Sequence, residues 1–279
     1  MEQRSVFGRV TPEQKRAMVA ALRSRGHVVA MTGDGVNDVL ALKEADIGVA
    51  MASGSPAARA TAQLVLLDSS FASLPSVVDE GRRVLANIER TANLFLTKTV
   101  YAMLLALAVG VLRLPFPFLP RQLTLVGTLT IGIPAFFLAL APNASRAHVG
   151  FVGRVVRFAV PAGLMAAAAT LAAYGLVRNE GVGLTEARTV ATIVLFWIGL
   201  VVLMMVAAPL TLPRRSLIVA MGVAFLAIMA IAPIREFFAL SLPSGIEWLA
   251  AVGIAAIVAT GLRVLIPDRT QPQGSDDSP

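Results

Sequence analysis

The chain has 279 residues, 56% of them hydrophobic and only 15% charged, with a mean hydropathy of +0.75. Soluble domains carry about 25% charged residues, so this composition excludes an ordinary soluble globule, a disordered tail and a coiled coil. The absence of cysteine excludes disulfides and thiolate chemistry, two histidines exclude a His-rich metal site, and the net charge of +7 must be located before nucleic acid is considered.

The charges divide unevenly. Residues 1–98 hold 12 Lys/Arg and 10 Asp/Glu, whereas residues 99–279 hold 12 and 7. The first part reads as a soluble module and the second as membrane. Met1–Arg9 is polar and lacks the apolar core of a secretory signal, so insertion is expected from internal segments. Pro12–Arg25 reads as an amphipathic helix with Thr11 as N-cap and Pro12 at its first position. His27–Thr32 is a short apolar run ended by Gly33, the signature of a buried strand. Residues 33–38 follow, then a helical stretch to Ala45, a second strand over Asp46–Met51, a helix over Ala57–Gln63 and a third strand over Leu64–Leu67. Strands alternating with helices predict a parallel α/β sheet.

Ligands of such sheets lie at the carboxyl ends of the strands, which is where Asp34 and Asp38 fall. A bare Gly-Asp-Gly is ordinarily only a turn. Two carboxylates four residues apart, with Gly33 and Gly35 allowing a tight turn around the first, can nevertheless converge on Mg²⁺, which prefers oxygen ligands. Asn37 adds an amide, and Lys15 is a point cation suited to phosphate.

From Pro75 no proline intervenes before Pro115, which predicts one helix of about 38 residues and near 57 Å, polar at first and apolar at its end. Six stretches approach the roughly 20 residues that a span requires: Asn93–Leu112, Gln122–Ala141, Phe158–Val177, Thr189–Ala208, Ser216–Pro233 and Glu247–Ile266. Six spans return the chain to its starting side. Arginines bias that side: Arg146, Arg154, Arg157, Arg214, Arg215, Arg263 and Arg269 stand against Arg113, Arg121, Arg178, Arg188 and Arg235, with Arg82, Arg83, Arg90 and Lys98 before the first span. By the positive-inside rule both termini are expected in the cytoplasm. The basic excess therefore sets topology, and no nucleic-acid partner is expected.

In the second span, Thr128–Pro134, Gly132 and Pro134 weaken the helix, and a broken span frees carbonyls that can line an ion path. A simple proline kink is the competing reading. Between Thr99 and Asn179 there is no Asp or Glu, so the first two spans offer only hydroxyls and carbonyls, from Thr97, Thr99, Thr124, Thr128 and Thr130. Lys98, near the start of the first span, is an ionisable residue at a membrane position, either functional or reaching for the interface. Tyr101, Tyr174, Trp197 and Trp248 read as packing or interfacial residues, and Glu247 as a cap on the last span.

The string Thr32-Gly-Asp-Gly-Val-Asn-Asp38 resembles the hinge signature of the P-type ATPases, ion pumps with a haloacid-dehalogenase-like phosphorylation domain. Val6–Lys15, Ala41–Met51 and Leu64–Asp68 continue the resemblance, and six spans are similar to the pump's last six membrane helices. The resemblance implies a partial haloacid-dehalogenase-like α/β domain (residues 1–72), a helical stalk (73–98), a six-helix transmembrane bundle (99–266) and a disordered tail (267–279). It implies Mg²⁺ on Asp34 and Asp38, ATP as the energy source, Lys15 stabilising the phosphoryl group, Asn37 assisting, and Thr32, Gly33 and Gly35 shaping the phosphate-side loop. It also implies a cation path near Thr97, Lys98, Thr99, Thr128, Thr130, Gly132 and Pro134. Two departures matter. No Asp-Lys-Thr-Gly nucleophile string occurs, and Ile131 stands where calcium and proton pumps of the family carry aspartate. The missing nucleophile, nucleotide domain and first four spans make the N-terminal portion of the pump an expected partner, beside the transported cation and the lipid bilayer. The phrase Thr130–Leu140 resembles actinobacterial pumps for which calcium uptake is proposed. Two other readings stay open: a Mg²⁺-binding regulatory or assembly fragment without turnover, and a six-span channel.

Overall fold

The structure, a computed structural model, describes residues 5–140, 150–179 and 181–265, without the side chains of Ile246 and Glu247. Three features expected from sequence lie outside these residues: the Pro142–Arg146 connection, the tail from 267 and the capping role of Glu247. The chain divides into two units, Met1–Gly81 and Arg82–Pro279.

The first unit is a three-stranded parallel sheet with helices between its strands. Helix α1 (Pro12–Arg23) starts where Thr11 and Gln14 cap each other reciprocally: the Gln14 N–H donates to Thr11 Oγ1 and the Thr11 N–H to Gln14 Oε1. Strand β1 (Ala30–Gly33) pairs with β2 (Ile47–Met51), which pairs with β3 (Leu64–Leu66), Thr32 lying opposite Val49 and Ala50 opposite Val65. β1 starts three residues later than its apolar run suggests, because Asp46 Oδ2 accepts from the Val29 N–H and holds that segment off the ladder. Helices α2 (Val39–Glu44) and α3 (Pro56–Thr61) form the crossovers. Two small cores result. Val19, Val29, Ala41 and Ala45 join α1 to α2, and Leu42, Ala50 and Ala58 join α2 and α3 to β2.

Helix α4 (Leu74–Leu112) is unbroken for 39 residues; it begins in the first unit and continues in the second. The second unit adds α5 (Pro120–Gly127), α6 (Ile133–Leu140), α7 (Phe151–Asn179), α8 (Leu184–Val206), α9 (Leu212–Ala230), α10 (Ala232–Phe237) and α11 (Gly245–Leu265). Among the described residues, six helical segments are long and apolar enough to cross a membrane, α5 and α6 counting as one. α8 lies at the centre, with most of its residues buried against α7 and α11. Phe196 of α8 stacks on Phe225 of α9 at 3.9 Å between ring centroids. Several helices extend beyond their apolar stretches: α7 starts at Phe151 rather than Phe158, since the amphipathic turn holding Arg154 and Arg157 is helical too.

Between α5 and α6, Thr128–Gly132 forms a single turn of π-helix. The sequence announces a weak point here, and the structure gives its form. Pro134 has no N–H to return to the preceding turn, and the wider turn absorbs the register change without ending the span.

Candidate functional site

In the first unit the site grows from the carboxyl end of β1. Gly33 closes the strand, Asp34 and Gly35 turn the chain, and Val36–Asp38 form a short 3₁₀ turn leading into α2. Asp38 is turned inward and buried, while Asp34 and Asn37 are exposed. Lys15 projects from α1 and donates from Nζ to Asp38 Oδ1 at 2.6 Å. The Gly35 N–H donates to Asp38 Oδ2 at 3.2 Å. Burial works against the charge on Asp38, but the Lys15 hydrogen bond, the Gly35 N–H and the Lys15 charge together hold its carboxyl below the usual range.

Two details of this loop differ from the sequence reading. Gly33 is required by close approach rather than by an unusual backbone: a Cβ there would lie 2.5 Å from Asp38 Cβ. Gly35, at φ −97°, meets no such obstacle, and the nearest atom to a Cβ there is Asp38 Oδ2 at 3.6 Å. Sequence reasoning also missed the turn after β2. The Ser55 N–H donates to the Asp34 carbonyl at 2.7 Å, tying the loop to the turn after β2. The signal was present in Ser53-Gly-Ser-Pro56, a turn cluster at the end of the neighbouring strand. Four surface contacts hold α1 where Lys15 meets Asp38: Arg16 to Glu44 at 2.9 Å, Arg23 to Asp46 at 3.2 Å, and Arg23 to the Glu44 carbonyl at 2.8 Å and to its carboxylate at 3.5 Å. Exposed pairs each contribute about 0–1 kcal/mol, so the cores beneath carry most of this docking.

Chemically, the arrangement offers two carboxylates at one strand end and a lysine engaged with one of them. The donors are oxygen only, the set a hard divalent cation takes, and they leave most of its coordination sphere to other ligands. No cluster of three or more His, Cys, Asp or Glu exists among the described residues, so the site does not enclose a metal by itself.

In the second unit the path candidates separate. Thr97 and Thr130 are buried, and both line a cavity of about 20 Å³, with Tyr101, Ile131, Ala166 and Gly199 among its walls. Thr97 Oγ1 donates to the Asn93 carbonyl and Thr130 Oγ1 to the Val126 carbonyl, each at 2.7 Å. Each hydroxyl oxygen keeps acceptor capacity. Gly199 of α8 makes room for Thr130, because a Cβ there would lie 2.8 Å from the threonine methyl carbon. Thr99, Thr128 and Gly132 are exposed and Pro134 is buried, none of them lining this cavity. Lys98 is half-buried and reaches across to α5, its Nζ 3.3 Å from where a Cβ of Gly127 would stand. Asn93, one turn before Thr97, went unnoticed in sequence: it is fully buried, and neither amide atom has a hydrogen-bond partner.

A profile of the haloacid dehalogenase-like hydrolases matches residues 16–74. The calcium-transporting ATPase CtpE of Mycolicibacterium smegmatis is 51% identical over 280 residues, covering 95% of this chain and 35% of its own. CtpE of Mycobacterium bovis is 54% identical over 249 residues, covering 84% and 31%. The probable cation-transporting ATPase exp7 of Streptococcus pneumoniae is 36% identical over 272 residues, covering 95% and 35%. The chain thus spans about a third of the length of these relatives. Two strand-end carboxylates, one of them engaged by a helix lysine, and six membrane-length helices among the described residues accompany this similarity, which runs along nearly the whole chain, and the chain belongs to the P-type cation-transporting ATPases as a C-terminal part of such a pump.

Proposed function

We propose that the chain forms the C-terminal third of an ATP-driven pump that carries a metal cation, calcium first among candidates, across the plasma membrane, with both termini in the cytoplasm. The reading rests on one observation above all: Lys15 Nζ lies 2.6 Å from Asp38 at the end of β1, beside Asp34. Asp34 and Asp38 would hold Mg²⁺, whose chemistry at such a site is to neutralise charge on phosphoryl oxygens. Lys15 would exchange its bond to Asp38 for one to an incoming phosphoryl oxygen. That exchange frees Asp38 Oδ1 and keeps the local charge balanced. Asn37, exposed on the same loop, would donate to the phosphoryl group, while Thr32, Gly33 and Gly35 shape the backbone around it.

The nucleophilic aspartate and the ATP-binding surface are proposed to come from an N-terminal portion of the pump. Two features support a partner of that kind. β1 pairs on one side only among the described residues, and Val6, Val28 and Leu67 are exposed at 82% or more. The helical stalk, 73–98, would carry motion toward the membrane as the first part of unbroken α4. The cation path is proposed at the π-turn, with Thr97 and Thr130 offering oxygens across the cavity and Pro134 leaving a backbone carbonyl without its helical donor. Lys98, Thr99, Thr128 and Gly132 would line its approaches.

The test is an ion screen of ATPase activity on the complete pump containing this chain. Calcium-stimulated hydrolysis that disappears in Asp34→Asn is expected, whereas hydrolysis retained in that variant overturns the Mg²⁺ assignment. The isolated 279-residue chain is expected to form no phosphoenzyme from ATP, and robust labelling of it would contradict an external nucleophile.

A further inference from the structure

Where α4 passes Asn87–Arg90, short of the buried Asn93, it is fastened to two other membrane helices at once. Asn87 Nδ2 donates to the carbonyl of Ala139, in the last turn of α6, at 2.7 Å. Glu89 receives the fork of Arg154, in the first turn of α7: Nε donates to Oε1 at 3.2 Å and Nη2 to Oε2 at 2.9 Å. Arg90 Nη1 donates to Asn87 Oδ1 at 3.4 Å, which leaves the amide nitrogen for α6. A two-point pair between guanidinium and carboxylate fixes direction as well as distance. The Glu89 side chain is only 17% exposed, so salt screens this pair less than a surface one.

The outer half of the broken span is held by different groups. Arg121 Nη1 donates to the Phe237 carbonyl at 2.7 Å. Gln122 is fully buried; its Nε2 donates to the Ala239 carbonyl at 2.9 Å and its Oε1 accepts from the Leu119 N–H. Thus α5 is pinned to the α10–α11 connection and α6 to α4, with the π-turn between them. α6 also packs on α9, a contact that can shear, whereas a hydrogen bond to its last turn follows α4. A displacement of α4 therefore reaches Ala139 and Arg154 together. Its relative motion against the pinned α5 falls on the π-turn, where Thr130 faces the same cavity as Thr97 of α4.

We propose that Asn87, Glu89 and Arg154 are positioning residues that couple the stalk to the cation path: they make α6 and the start of α7 follow α4, so that motion along the stalk changes the spacing of Thr97 and Thr130. This deepens the pump reading and rests on it, naming the contacts at which motion leaves α4. The test uses the complete pump containing this chain, in sealed vesicles, with uptake of radiolabelled calcium and ATP hydrolysis measured together. Glu89→Gln, Arg154→Gln and Asn87→Leu are each expected to keep phosphoenzyme formation from ATP while calcium carried per ATP falls at least about fivefold, the lower end of the factors by which coupled sites affect each other. Glu89→Arg, which faces Arg154 with a like charge, should do the same, and adding Arg154→Glu should recover at least about half of the lost ratio. Melting temperatures of all variants are compared in parallel. A lowered melting temperature with an unchanged ratio makes these residues a mere staple for α7 and overturns the proposal, as does a ratio that the charge exchange fails to recover. A wild-type pump whose hydrolysis calcium does not stimulate overturns the pump reading itself, an outcome distinct from any the variants give.

Discussion

Asp38 is where burial and charge meet. Its carboxylate is surrounded by Lys15, the Gly35 N–H and the α-carbon of Gly33, and each constrains a different atom. Gly33→Ala forces a Cβ to within 2.5 Å of Asp38 Cβ, so the loop must move. A cost of about 1–3 kcal/mol is expected from overpacking of this kind, read as a lower melting temperature of the first unit's transition. The lowered pKa of Asp38 gives a pH signature. A carboxyl depressed in the folded state contributes stability above its unfolded pKa, about 3.9, and loses it as pH falls through the folded value. The melting difference between the wild type and Asp38→Asn should therefore be constant from pH 7 to about 5 and shrink below about pH 4. A difference that grows in acid would mean that Lys15 does not stabilise the charged form. The position of both aspartates after the first strand was legible from spacing, and Lys15 from its residue type, but not the contact of Lys15 with Asp38. The Ser55 clamp and the reason for Gly33 were not, because both depend on contacts across strands or turns that no local spacing encodes.

At the scale of elements, the π-turn is the decisive feature of the membrane unit. The sequence places the weakness at Gly132 and Pro134, but composition cannot say whether a span ends, kinks or widens there. What decides is the neighbour: Thr130 is held inward against Gly199 of α8, so the turn widens while its inner face stays packed. Gly199→Leu fills the space that Thr130 occupies. It is expected to lower thermal stability and to abolish cation-stimulated ATPase in the complete pump. Thr130→Val, nearly the same shape without the hydroxyl, should keep stability while raising the cation concentration needed for half-maximal stimulation. Unchanged cation dependence in Thr130→Val would remove that hydroxyl from the path. The long helix α4 was legible from the interval between prolines, and its observed bounds differ from that interval by a few residues. The Asn93 amide was overlooked because one polar residue at the start of an apolar run looks like a boundary, yet it is fully buried.

For the whole molecule, the uneven charge separated a near-neutral α/β unit from an apolar helical one before any contact was known. The two units carry different kinds of evidence. The first has a compact motif in which Lys15 meets Asp38 beside Asp34. The second has hydroxyls, carbonyls and a lysine, with no acidic residue between Thr99 and Asn179. A calcium pump built on this chain would draw its countercharge from elsewhere. The central claim is that the end of β1 serves an aspartyl-phosphate cycle whose nucleophile lies outside these 279 residues. It is tested most directly by phosphoenzyme formation from radiolabelled ATP, comparing the complete pump, its Asp34→Asn variant and the isolated chain. Acid-stable labelling of the complete pump alone is the predicted result. Equal labelling of the Asp34→Asn variant, or labelling of the isolated chain, would contradict the account.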